Sequence, residues 1–178
     1  NDGSDVFDEI YGVSSKMIKA KEKARVASMS DASVLIYGET GTGKEIFSKS
    51  IHYGGNRKSK PFIPINCAAI PSALLEGILF GTEKGSFTGA EKKKGLFEAA
   101  NYGTLLLDEL NSMEPYLQSK LLRVIEDGYV MPLGSNKHIK VDVRIIATLN
   151  ERPEILISEG RLRKDLFYRL SVFTINIP

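Results

Sequence analysis

The stretch SVLIYGETGTGKEIFSKSIHYGG, Ser33 to Gly55, restricts the fold more than any other part of the chain. SVLIY is a short apolar run bounded by turn residues, which predicts a buried strand. Lys44 to Tyr53 reads as a helix closed by Gly54-Gly55. Between them lies G-x-x-x-x-G-K, and the order strand, glycine-rich loop, helix is the context a phosphate-cradling loop requires. Gly38, Gly41 and Gly43 would let backbone N–H groups converge on phosphate oxygens, and the helix N-terminus would add the positive end of its dipole. Lys44 would reach the outer phosphates of a nucleotide. The candidate contact residues are therefore Gly38, Glu39, Thr40, Gly41, Thr42, Gly43, Lys44 and Glu45. Glu45 stands where the general motif carries Ser or Thr, so the hydroxyl that would bind Mg²⁺ is missing there.

The rest of the chain keeps the alternation. Helices are expected over Ser15–Met29, with Met17, Ile18, Ala20, Ala24 and Ala27 at helical spacing, over Ser72–Leu79 with Ser72 as N-cap, and over Pro115–Asp127 with Pro115 in the first turn. Strands are expected at PFIPIN (Pro61–Asn66), GTLLLDEL (Gly103–Leu110), VDVRIIATLN (Val141–Asn150) and VFTINI (Val172–Ile177). The prolines suggest an edge position for the first of these. Tyr129–Ile139, with Pro132 and LGSN, reads as a hairpin-like excursion, and Asn1–Asp8 as a polar leader. Strands separated by helices imply βαβ units and a mostly parallel sheet. A chain of 178 residues suits one domain, and a net charge of +2 is too small to argue for nucleic acid or membrane binding. Cys67 is the only cysteine, which excludes an internal disulfide and fits a reducing cytoplasm. No run of about 18 apolar residues suggests a membrane span. The chain stops straight after a strand-like run, so 1–178 is expected to be one domain of something longer.

LLLDE ends a strand at Asp108 and Glu109. In parallel sheets ligands gather at the carboxyl ends of strands, so this pair is expected to face the phosphate loop. Asp108 would hold Mg²⁺ directly or through water, and Glu109 would polarise an attacking water. Taken alone, the pair could equally cap the following helix. Asn150 ends another strand at the same rim and could sense a terminal phosphate; Asn66 ends PFIPIN and could bond Glu109; either could also be an ordinary turn asparagine. In RLRKDLFYRL, Arg163 and Arg169 are six residues apart, and spacing alone favours two solvated helix arginines. His52 and His138 show no ligand spacing and receive no role.

One stretch fits none of this. GSFTGA, Gly85–Ala90, has no carboxylate, histidine or cysteine, and its charged flanks rule out a core strand. Gly85 and Gly89 give it a mobile backbone, with Phe87 and Thr88 at its centre.

GETGTGKE, PINCAAIPSALLEGILFGTEKGSFTGA, GTLLLDEL, LQSKLLRVIEDG, VDVRIIATLN and LRKDLFYRL, in this order, closely resemble the central ATPase domain of sigma-54-dependent transcriptional activators. These are the bacterial enhancer-binding proteins of the AAA+ superfamily, and the resemblance runs from about Ile10 to Pro178. It implies a three-layer αβα sandwich with a five-stranded, mostly parallel sheet of P-loop NTPase type, truncated before the helical lid that carries a second sensor arginine. It implies ATP and Mg²⁺ as ligands, a ring of six or seven copies, sigma-54 RNA polymerase as partner, and DNA contact only through a domain outside this chain. It implies that Arg163 and Arg169 reach a neighbouring subunit's nucleotide, that Asn66 restrains Glu109 as a switch, and that Asn150 is the first sensor. Family members commonly carry Glu at the position of Glu45. Leu149 departs from the family, which usually has Thr there, and Ser86 replaces the commoner Ala of GAFTGA. Gly85, Ser86, Phe87, Thr88, Gly89 and Ala90 are the implied contact to the sigma factor, with Tyr129–Ile139 as a second surface loop beside them. Two other readings stay open: another AAA+ remodeller, such as a helicase loader or chelatase motor, or a nucleotide-gated binding module without efficient turnover.

Overall fold

The structure, a computed structural model, describes residues 6–9 and 14–178. Five strands form one sheet in the order β2–β3–β6–β1–β7. They are β1 (Val34–Tyr37), β2 (Phe62–Asn66), β3 (Thr104–Asp108), β6 (Arg144–Leu149) and β7 (Phe173–Asn176). Every neighbouring pair in this sheet is parallel. β2 is an edge strand, as its prolines suggest. β6, buried at all six positions, lies between the phosphate-loop strand β1 and the acidic strand β3.

Alternation along the strands sorts the core into two halves. Val34, Ile36, Leu106, Ile146 and Ile175 pack on one face against Phe47 and Ile51 of α2 (Lys44–Tyr53) and Ala20, Ala24 and Ala27 of α1 (Ser15–Ser28). Leu35, Leu105, Leu107, Ile145, Ala147 and Leu149 pack on the other. That face is covered by α3 (Ser72–Phe80), α4 (Leu96–Ala99), α5 (Pro115–Asp127), α6 (Pro153–Ser158) and α7 (Lys164–Leu170). The result is the expected three-layer sandwich.

Several local expectations are corrected. Pro71, not Ser72, occupies the cap position of α3, and Ser72 is its first helical residue. Ile18 faces solvent although α1 forms where its periodicity says. The leader assigned to 1–8 lies largely outside the described residues, but Val6–Glu9 form a 3₁₀ turn that buries Phe7 in the α1–α2 half of the core. His52 is buried; its Nε2 donates to the Lys60 carbonyl, so Nδ1 accepts from the Thr104 hydroxyl at 2.7 Å. It ties α2 to the start of β3, and burial holds its pKa below the ordinary value.

Candidate nucleotide site and surface loop

The carboxyl ends of β1, β6 and β3 bring three segments to one rim. Gly38 accepts no side chain, because a Cβ there would lie 2.7 Å from the Ile177 carbonyl, and Gly41 and Gly43 hold φ of +86° and +89°. The loop then opens α2 at Lys44, and the first turn of a helix leaves N–H groups without carbonyl partners. Lys44 is buried, with Nζ donating to the carbonyls of Gly38 (2.7 Å) and Glu39 (2.9 Å). Burial lowers its pKa, and the negative charges of Asp108 and Glu109 act against that shift. The lysine thus sits in the field of the acidic pair, and the loop faces that pair as the strand ends require. Glu45 turns away: it is exposed and lies 3.6 Å from Lys49 across one helical turn.

Glu109 has φ +53° and ψ 55°, a left-handed backbone that costs a non-glycine residue about 1–2 kcal/mol. It converts the end of β3 into a 3₁₀ turn, Leu110–Ser112. Its N–H donates to the Thr148 hydroxyl at 2.9 Å, and that hydroxyl donates to Oδ1 of Asp108 at 2.5 Å. Asn150 is held by Asn111, whose Nδ2 donates to the Asn150 Oδ1 at 2.9 Å. Sequence reasoning missed both Thr148 and Asn111. A polar residue in the otherwise apolar run IIATL was the available signal for Thr148; nothing local marked Asn111. Asn66 pairs with Asp108 in the β2–β3 register, but its Oδ1 accepts from the Ala68 N–H at 2.9 Å; no hydrogen bond joins it to Glu109 among the described residues. Leu149 is fully buried on the opposite face of the sheet.

The two arginines lie outside this cluster. Arg163 is the N-cap of α7 rather than part of the helix, and it grips the Asp165 carboxylate through Nε (3.1 Å) and Nη2 (2.9 Å). That pair is about half exposed, so it contributes no more than about 1 kcal/mol and can open. Arg169 is exposed in the last turn of α7. It borders a cleft with Asp31, Ser33 and Val143, at the amino ends of the strands.

GSFTGA is a folded turn rather than a loose strap. Ala90 N–H donates to the Phe87 carbonyl (3.0 Å), and Gly85 and Gly89 adopt φ of +83° and +79°. Its base is tied to the second loop, where β4 (Tyr129–Val130) and β5 (Ile139–Lys140) form the expected antiparallel hairpin. Glu83 N–H donates to the Leu133 carbonyl and Leu133 N–H to that of Gly81, both at 2.9 Å. A Cβ on Gly134 would lie 2.5 Å from the Ser86 Cβ, so only glycine lets the two loops touch there. Ser86 Oγ is buried without a partner and Ala90 is buried, whereas Phe87 (58% exposed) and Thr88 point outward. Phe87 borders a shallow cleft with Leu74, Ile78 and Leu133.

A parallel sheet of this order, with a phosphate loop and an acidic strand end separated by one strand, defines a P-loop NTPase module of the AAA+ class. The sequence comparison then gives the family: residues 10–176 match the sigma-54 interaction domain, and the chain belongs to it. It is 54% identical over 172 residues to the transcriptional activator RocR of Bacillus subtilis, covering 97% of this chain and 37% of RocR. It is 52% identical over 159 residues to the regulatory protein AtoC of Escherichia coli, covering 89% of this chain and 34% of AtoC. Among solved structures, NtrX from Brucella abortus in complex with ATP superimposes with a TM-score of 0.85 at 36% identity, over 96% of this chain and 38% of NtrX. The chain thus spans little more than a third of these relatives. No helix among the described residues is long and apolar enough to cross a membrane.

Proposed function

We propose that the chain is the ATP-hydrolysing module of a sigma-54-dependent transcriptional activator in the bacterial cytoplasm. In this reading it binds Mg-ATP within a ring of six or seven copies and uses hydrolysis to remodel the closed complex of sigma-54 RNA polymerase. The observation that carries it is the buried Lys44 set against Asp108 and Glu109 at the mouth of the phosphate loop. The ATP complex of NtrX supports the choice of ligand.

Within this reading Lys44 and the backbone from Gly38 to Glu45 hold the phosphates. Glu109 takes the proton side of water attack, and Asn150 reads the terminal phosphate. Asn66 restrains Glu109 after turning from Ala68. The donor set suits Mg²⁺. Thr148 engages one oxygen of Asp108, and no group of three or more His, Cys, Asp or Glu side chains forms a protein-only cage among the described residues. Mg²⁺ is typically held by one or two carboxylates together with phosphates and water. When bound it supplies positive charge against the phosphate oxygens. Phe87 and Thr88 contact the sigma factor, and the loop rises and returns with the nucleotide state.

Arg163 and Arg169 act on a neighbour's nucleotide. Arg163 is held only by an exposed ion pair, which can open to free its guanidinium. Arg163→Ala should leave ATP binding near wild type and lower phosphate release by about 10³-fold, the lower end of what an arginine finger supplies. Wild-type specific activity should rise with protein concentration. Full activity at high dilution would rule out action in trans. The exposed Glu45–Lys49 pair, in place of a hydroxyl aimed at the metal, favours a second reading, a nucleotide-gated module without efficient turnover. Phosphate release separates the two, and stimulation of open-complex formation separates both from another AAA+ remodeller.

A further inference from the structure

Thr148 has no solvent exposure, and the strand residues on either side of it, Ile145 to Ala147 and Leu149, are apolar. Its hydroxyl has one proton and two partners. The Glu109 N–H can only donate to it, so the proton points at Oδ1 of Asp108. One buried side chain therefore holds the carboxylate of Asp108 and the backbone of Glu109. The second of these needs holding, because Glu109 keeps a left-handed backbone just where the ladder between β3 and β6 ends at Leu107 and Ala147. Strand alternation explains why position 148 can do this. Residues 106 and 146 face α2, so 108 and 148 do as well, while Leu149 faces the α5–α7 half of the core. A hydroxyl at 149 would lie on the wrong side of the sheet. Packing alone does not require a hydroxyl at 148, since valine fills the same volume without a buried polar atom.

We propose that Thr148 is a positioning residue for hydrolysis. It engages one oxygen of Asp108, leaving the other for Mg²⁺ or its water, and it fixes the peptide that aims the Glu109 side chain. This rests on the ATPase reading above, and the test keeps the two apart. The full-length protein is compared with Thr148→Val, Thr148→Ser and Thr148→Ala. Mn²⁺ binding in the presence of ADP is followed by the EPR signal of free Mn²⁺, alongside kcat and KM for ATP. Thr148→Val is expected to weaken Mn²⁺ binding and lower kcat by about 10-fold or more each, the usual range for groups that orient a metal ligand, while KM changes less than about threefold. Thr148→Ser should restore both to within about threefold of wild type. If the valine variant does not fold, the serine and alanine variants, which differ only in the hydroxyl oxygen, carry the same comparison. Equal Mn²⁺ affinity and kcat with and without the hydroxyl would overturn the proposal, as would equal losses in the serine and valine variants. A wild type that releases no phosphate defeats the ATPase reading alone, because the Mn²⁺ titrations still decide the role of Thr148. A wild type with no Mn²⁺ site overturns both.

Discussion

Replacing Lys44 with alanine should reduce ATP affinity by at least about 100-fold. The ammonium would make two charge-assisted contacts, to the β- and γ-phosphates, each contributing about 1.5–3 kcal/mol. Their sum exceeds two factors of ten at about 1.4 kcal/mol each. The effect should reach the fold as well. Lys44 satisfies the Gly38 and Glu39 carbonyls and is the counter-charge to Asp108 and Glu109. Its loss should lower stability by about 1–2 kcal/mol, because the exposed parts of the loop can recover water in its place. Calorimetric titration of a variant shown to be folded by circular dichroism checks this. Tight ATP binding by folded Lys44→Ala would exclude this loop as the phosphate site.

Glu109→Gln should bind ATP normally and lose hydrolysis by about 10²–10⁴-fold, the contribution of a positioned general base. The substitution isolates chemistry from architecture. Glutamine has the same shape, the left-handed backbone is held through the main-chain N–H, and that bond to Thr148 does not involve the carboxylate. Single-turnover phosphate release beside equilibrium binding reads the two effects separately. Wild-type turnover in this variant would reduce Glu109 to a structural residue at a strained turn.

What the sequence conveys depends on whether the deciding interactions are local. The limits of α2 and α5 fall where expected because glycine and proline punctuate them: Gly43 and Gly54 around Lys44–Tyr53, Pro115 and Gly128 around Pro115–Asp127. The short helices α4 and α6 escape notice because one or two turns give no periodicity. Arg163 and Arg169 read as two turns of one helix, yet the chain enters the helix only at Lys164, so Arg163 is the cap. The site follows the same rule. The phosphate loop is legible because its glycines and lysine are contiguous. The Thr148–Asp108 and Asn111–Asn150 bonds join residues 40 and 39 positions apart, and they exist only because β6 lies between β1 and β3. Likewise the glycines of GSFTGA announce a special backbone, but the pinning of Ser86 under Gly134 comes from the second loop and cannot be read locally.

In the proposed function the GSFTGA tip converts nucleotide state into contact with the sigma factor. Thr88 is exposed on a turn outside every segment of the candidate nucleotide site, so Thr88→Ala should change stability by no more than about 0.5 kcal/mol. The decisive measurement is sigma-factor capture by the full-length protein held with ADP and a metal fluoride, made on wild type and on Thr88→Ala with phosphate release followed in parallel. Wild type should capture the sigma factor. Thr88→Ala should release phosphate at the wild-type rate and capture none, and Phe87→Ala should behave alike through lost apolar contact. Intact capture by Thr88→Ala together with lost hydrolysis would contradict the claim and return the loop to the ATPase site.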